Sequence, residues 1–128
     1  MPTTTLANDL VITGGLTVAG ALTRTFFNAT ATAGAATVTG TVGKITTEAL
    51  TTAQNAIYTL TLTDTAIAAA DAVFASVANG TNSAGSPVVT RVQPAAGSVV
   101  ILIANLHASA VAFNGTLVIS YLVKKASA

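Results

Sequence analysis

Residues 98–105 read Ser-Val-Val-Ile-Leu-Ile-Ala-Asn, with unbroken aliphatic side chains from Val99 to Ala104. In an extended strand successive side chains alternate between faces, so Val99, Ile101 and Ile103 point one way and Val100, Leu102 and Ala104 the other. A strand on the outside of a small antiparallel sandwich alternates apolar with polar residues. A run without a polar face calls for cover on both sides. One face can have the core of its own chain, but 128 residues leave little to cover the second. Val100 and Leu102 are therefore expected at a contact between subunits.

Composition points the same way. Hydrophobic residues make up 52% of the chain and charged ones only 7%, against about a quarter in ordinary soluble domains. The mean hydropathy is +0.71. By surface-to-mass scaling, a monomer of 12.6 kDa exposes about 6,200 Å², or roughly 700 Å² for each formal charge. Such a surface is poorly guarded against self-association, and burial against copies of itself or a larger lattice is the simplest remedy. The longest wholly apolar run, around Val99 to Ala104, is far short of the roughly 20 residues that a spanning helix needs. The stretch from Met1 to Asp9 has no Lys or Arg ahead of its apolar segment, so no secretory signal is expected. The absence of cysteine excludes disulfides and thiolate metal sites. A net charge of +1 gives no reason to expect nucleic acid or an anionic membrane as partner.

Taken in order, the chain first shows a six-residue echo that places Leu10, Leu16 and Leu22 in equivalent slots, with Gly14 and Gly20 where a tight corner needs small residues. It ends at Arg24 and Phe26, too short to bury its own face, which suggests a short stem wound from several chains; the other reading is one hairpin with a Gly-Gly turn. Residues 26–43 are rich in Thr, Ala and Gly, fitting either a second piece of stem or a linker. The expected organisation is thus an N-terminal arm with a short β-stem or linker over residues 1–42, followed by a β-sandwich over 43–128.

Beyond Gly43 the turn-and-strand grammar is regular. Tyr58, Leu60 and Leu62 alternate with Thr59, Thr61 and Thr63, a half-buried strand. Asp64 to Ala72 allows a brief helical turn before a strand over Val73 to Ala78. Asn79 to Pro87 is a loop, Val88 to Gln93 a strand, and Pro94 to Gly97 a turn into the central run. Asn114-Gly115 predicts a hairpin between Ala108–Phe113 and Thr116–Val123. Many short strands at this spacing indicate an all-β protein, an antiparallel sandwich or jelly roll.

Candidate chemistry is sparse. His107 is the single histidine, so no histidine metal cluster can form; a subunit contact is its expected special role. Asp9, Glu48, Asp64 and Asp71 are scattered, and the oxygen-rich spacing of a calcium loop is missing. There is no Gly-x-Ser-x-Gly elbow and no phosphate-binding loop. Tyr58 and Tyr121 alternate with aliphatic residues and are expected in the core. No catalytic residue, metal or cofactor is expected; the expected subunit contacts are Leu10, Leu16, Leu22, Val100, Leu102 and His107.

A resemblance joins these readings. Gly43-Lys44-Ile45-Thr46-Thr47-Glu48-Ala49-Leu50, Tyr58-Thr59-Leu60-Thr61-Leu62-Thr63, Asn79-Gly80-Thr81-Asn82, Pro94-Ala95-Ala96-Gly97-Ser98-Val99, Asn105-Leu106-His107-Ala108 and Asn114-Gly115-Thr116-Leu117 together resemble the β-sandwich domain of tailed-bacteriophage virion proteins. These include capsid decoration or cement proteins, head fibres and tail-fibre ends. The likeness covers about residues 43 to 125, and the Leu10 to Leu22 repeat is similar to the short stem that often precedes such a domain. It implies a non-enzymatic virion protein, commonly a homotrimer, made in the host bacterial cytoplasm and carried on the capsid surface with the major capsid protein as its partner. The shortness of the chain favours decoration over a fibre. The alternative is a receptor-binding tip module, using the Asn79 to Ser86 loop and the Asn114-Gly115 turn.

Overall fold

Alternating residues and tight turns resolve into eight strands in the computed structural model, which describes residues 26–126 together with Gly14, Gly15, Thr17, Ala19 and Gly20. The strands are β1 (Phe27–Thr30), β2 (Ala35–Thr37), β3 (Val42–Thr46), β4 (Ile57–Thr63), β5 (Ala72–Asn79), β6 (Pro87–Ala95), β7 (Ser98–Asn105) and β8 (Leu117–Lys124). They form two four-stranded sheets: sheet I, in the order β1-β3-β8-β5, and sheet II, in the order β2-β4-β7-β6. Strand β3 pairs antiparallel with β8, and β4 with β7; β5 then joins β8 and β6 joins β7. Among these six the first strand pairs with the last and the second with the next-to-last, the nested order of a jelly roll. The chain is an all-β sandwich, as its turn spacing predicts.

The core lies where the alternation places it. In β4, Tyr58, Leu60 and Leu62 are buried while Thr59, Thr61 and Thr63 are exposed. Val99, Ile101 and Ile103 of β7 are fully buried and meet Ile45, Leu117 and Ile119 of sheet I in one cluster. At about 25 cal/mol per Å² of apolar surface, each such side chain contributes roughly 1.5–3 kcal/mol.

The passage expected to be stem or linker is part of the sandwich. Strand β1 pairs parallel with β3, from Phe27 opposite Gly43 to Thr30 opposite Thr46, and β2 pairs parallel with β4. Both sheets are therefore mixed rather than purely antiparallel. The sandwich begins by Phe27, and no boundary falls at Gly43. Two carboxylates fasten the passage: Gly34 N donates to Glu48 Oε1 at 2.9 Å, and Gly40 N to Asp64 Oδ1 at 3.2 Å. Gly43 itself is a packing requirement, because a Cβ there would stand 2.5 Å from the Tyr121 ring.

Other expectations change locally. The Asp64 to Ala72 segment forms turns without a helix. The turn before β7 contains only Ala96 and Gly97, since Ala95 already pairs with Ser98; Gly97 has φ +76. Asn114-Gly115 makes no hairpin, because β8 takes β3 and β5 as neighbours and residues 108–113 form no strand. That segment is instead the crossing from sheet II to sheet I, with Phe113 buried in the core.

Candidate functional site

The outer face of sheet II has the character expected of its central strand. Val100 and Leu102 are half-buried, in contrast with the fully buried inward face of the same strand. Ala104, expected to share their outward face, is 5% exposed. Thr59 and Thr61 flank them on β4, and Arg91 and Gln93 on β6. The result is an apolar strip with a polar rim, the layout of a contact surface. At one end Ile57 and Val88 pair with Ala104 from either side and are exposed, as is Leu106. His107 is half-buried, and its Nδ1 lies within hydrogen-bond distance of the Ser109 amide, carbonyl and hydroxyl. This Ser–His contact is local to one loop, and no carboxylate is hydrogen-bonded to the ring among the described residues. Leu10, Leu16 and Leu22 lie outside the described residues.

Sheet I carries a second apolar surface that sequence reasoning missed. Val42, Leu122 and Phe74 form one cross-strand row on its outer side, and Phe26, just ahead of β1, adds a fourth wall. Between them is an open trough of about 460 Å³ with Ser76 and Ser120 on its lining. Phe74 is the most exposed large hydrophobic residue described, at 61%. Lys44 Nζ stands 5.3 Å from the centroid of the Phe26 ring, a cation–π contact. The signal for this surface was present in part: apart from the single outward-facing serines Ser76 and Ser120, Ala72 to Ala78 and Leu117 to Val123 are apolar on both faces.

The described acids serve the fold. Asp64 is fully buried; its Oδ1 accepts the amides of Gly40 and Ala66, and its Oδ2 accepts the Tyr121 hydroxyl at 3.0 Å. Glu48 accepts the Tyr58 hydroxyl at 3.0 Å through Oε2. Burial first, then the neighbouring carboxylate, pushes both tyrosine phenols well above their ordinary range. Asp71 takes a hydrogen bond and ion pair from Lys125 and the amides of Ala68 and Ala126. Lys125 and then these amides hold its carboxyl down to about 2. No group of three or more His, Asp or Glu side chains converges to hold a metal among the described residues.

The loops proposed for ligand recognition are bonded to each other. Asn82 Nδ2 donates to Asn79 Oδ1 and Ala84 O, its Oδ1 accepts Asn114 N, and Asn114 Oδ1 accepts Ser83 N. Asn105, fully buried, donates to Thr52 O and Val111 O and accepts from Ser86 N and His107 N. These side chains tie one end of the sandwich together. No protein-family model matches the chain, and neither does any curated protein or solved structure with which it was compared.

Proposed function

We propose that this protein is a non-enzymatic structural subunit of a tailed-bacteriophage virion, a decoration or cement protein that assembles as a homotrimer and binds the major capsid protein on the head surface. The observation that carries the reading is the pair of apolar sheet faces, half-buried Val100 and Leu102 on one side and exposed Phe74 and Leu122 on the other, on a chain with only 7% charged residues. A surface of this kind is stable in water when other subunits cover it. The likeness of residues 43 to 125 to virion sandwich domains supplies the setting. The described acids also support the reading, since their carboxylates are engaged in holding backbone and tyrosines in place.

Stabilisation of the shell follows from burial. An interface removing about 1,500 Å² of largely apolar surface supplies tens of kcal/mol before the entropic cost of association is subtracted. Binding that favours the assembled shell over free subunits raises its resistance to disruption by mass action. A second reading, a receptor-binding tip module, has the paired aromatics Phe26 and Phe74 in its favour. Against it, the trough offers the hydroxyls of Ser76 and Ser120 as its polar side chains, too few to orient a sugar. The test is incubation of the purified protein with phage heads that lack decoration: saturable, stoichiometric binding and greater resistance of the heads to heat supports the reading, and failure to bind overturns it.

A further inference from the structure

The two apolar faces need not share one partner, and the structure distinguishes them. Four strands stand at sheet edges. Unpaired edges invite added strands, and proteins blunt them with short strands, proline, charge or bulges. Strand β1 has four residues and β2 three. Strand β6 carries Pro87, Pro94 and Arg91, with an irregularity between Val89 and Arg91. Strand β5 runs eight residues, Ala72 to Asn79, with no charge and no proline, and pairs with β8 in unbroken register. Its Phe74 also walls the trough. Among the described residues, the one unguarded edge and the apolar trough are thus continuous.

Where the chain enters identifies the occupant. Twenty-five residues precede Phe26, among them the Leu10, Leu16 and Leu22 repeat, too short to bury its own face. Phe26 both lines the trough and starts the continuously described chain. If the repeats of several copies are to pack together, their points of entry at Phe26 must come close, and the surface around Phe26 is the trough. The trough lining holds no carboxylate, and the ammonium of Lys44 already faces the Phe26 ring. A partner selected by charge finds little there, whereas a second copy of this weakly charged chain matches it.

We propose that the trough and the β5 edge of sheet I are the surface joining copies of this chain, leaving the Val100–Leu102 face of sheet II for the shell. The inference rests on the virion reading for the second assignment only. The test compares full-length parent, Phe74→Glu and Leu102→Lys by light scattering after size exclusion, with circular dichroism confirming the fold. Because the parent has no cysteine, Ser76→Cys adds a single thiol at the trough for maleimide labelling. Expected are loss of the multi-copy mass in Phe74→Glu, its retention in Leu102→Lys, and labelling of Ser76→Cys that is several-fold slower than when Phe74→Glu is added. Multi-copy mass kept by Phe74→Glu, or equal labelling rates, overturns the proposal. A protected thiol on a single-copy particle means the chain's own N-terminal segment fills the trough, and protection only after heads are added means the shell does; both also overturn it. Should the Phe74 dependence hold while the parent fails to bind heads, the virion reading falls and the copy contact stands.

Discussion

Replacing Asp64 by alanine removes one acceptor group from three donors at once: the Tyr121 hydroxyl at 3.0 Å, Gly40 N at 3.2 Å and Ala66 N at 2.9 Å. Tyr121 is 2% exposed, so its hydroxyl loses its partner in a dry setting; Gly40 and Ala66 are both half-buried, and since each can reach water in part the two together count as about one further buried donor. At about 1–3 kcal/mol for each buried donor left unpaired, two donors give a loss of about 2–6 kcal/mol. Part of this is offset because a fully buried carboxylate no longer has to be desolvated. Against a total stability of about 5–15 kcal/mol for a domain of this size, the expected loss is a large fraction. Asp64→Asn keeps an acceptor and the shape, and its expected loss is closer to 1 kcal/mol. Urea unfolding followed by far-ultraviolet circular dichroism reads both. Tyr121→Phe completes a double-mutant cycle, in which a coupling above about 0.5 kcal/mol is expected of groups in direct contact. A loss in Asp64→Ala smaller than in Asp64→Asn, or strict additivity with Tyr121→Phe, would refute the reasoning.

Three further predictions follow from the same structure. Both tyrosines, the full complement of the chain, have raised phenol values, so the folded state keeps them protonated while the unfolded chain ionises near its ordinary pKa of about 10. Stability should fall as pH rises above that value, and phenolate absorbance should appear together with unfolding, not before it. Asp71 has a lowered value of about 2, so its contribution is present above the unfolded pKa of about 3.9 and is lost as pH falls toward 2. Lys125→Ala should make the urea midpoint less steep over that window, and an unchanged slope would contradict the assignment. Ala33 holds φ 51 in the turn between β1 and β2, where Thr32 and Ala35 bridge. Left-handed backbone costs an L-residue other than Gly, Asn or Asp about 1–2 kcal/mol, so Ala33→Asn should raise stability by about 1 kcal/mol in the same urea assay.

Much of the sandwich was legible because its signals are local. The Tyr58 to Thr63 alternation fixed a register with one wet face, and the flanking turn residues bounded the central run. What escaped depended on distant partners. Residues 26–42 look like a linker by composition, since small side chains carry no strong period; they are held by Glu48 and Asp64, whose roles appear only once the chain has folded back. Asn114-Gly115 has the composition of a hairpin turn, but its neighbours in space are Asn82 and Ser83, which outweigh the local preference. The proposed contact face of β7 rests on its double-sided apolarity. The same criterion applied to β5 and β8 marks the trough, which was hidden because Phe74 and Leu122 sit in strands that also contain serine.

The mass of the full chain in dilute solution bears most directly on the idea that other copies must cover the Phe74 trough of sheet I. Sedimentation equilibrium at micromolar concentration should give about 38 kDa, three times the chain mass of 12.6 kDa. A well-behaved particle of 12.6 kDa across the whole concentration range, soluble with Phe74 open to water, would contradict it.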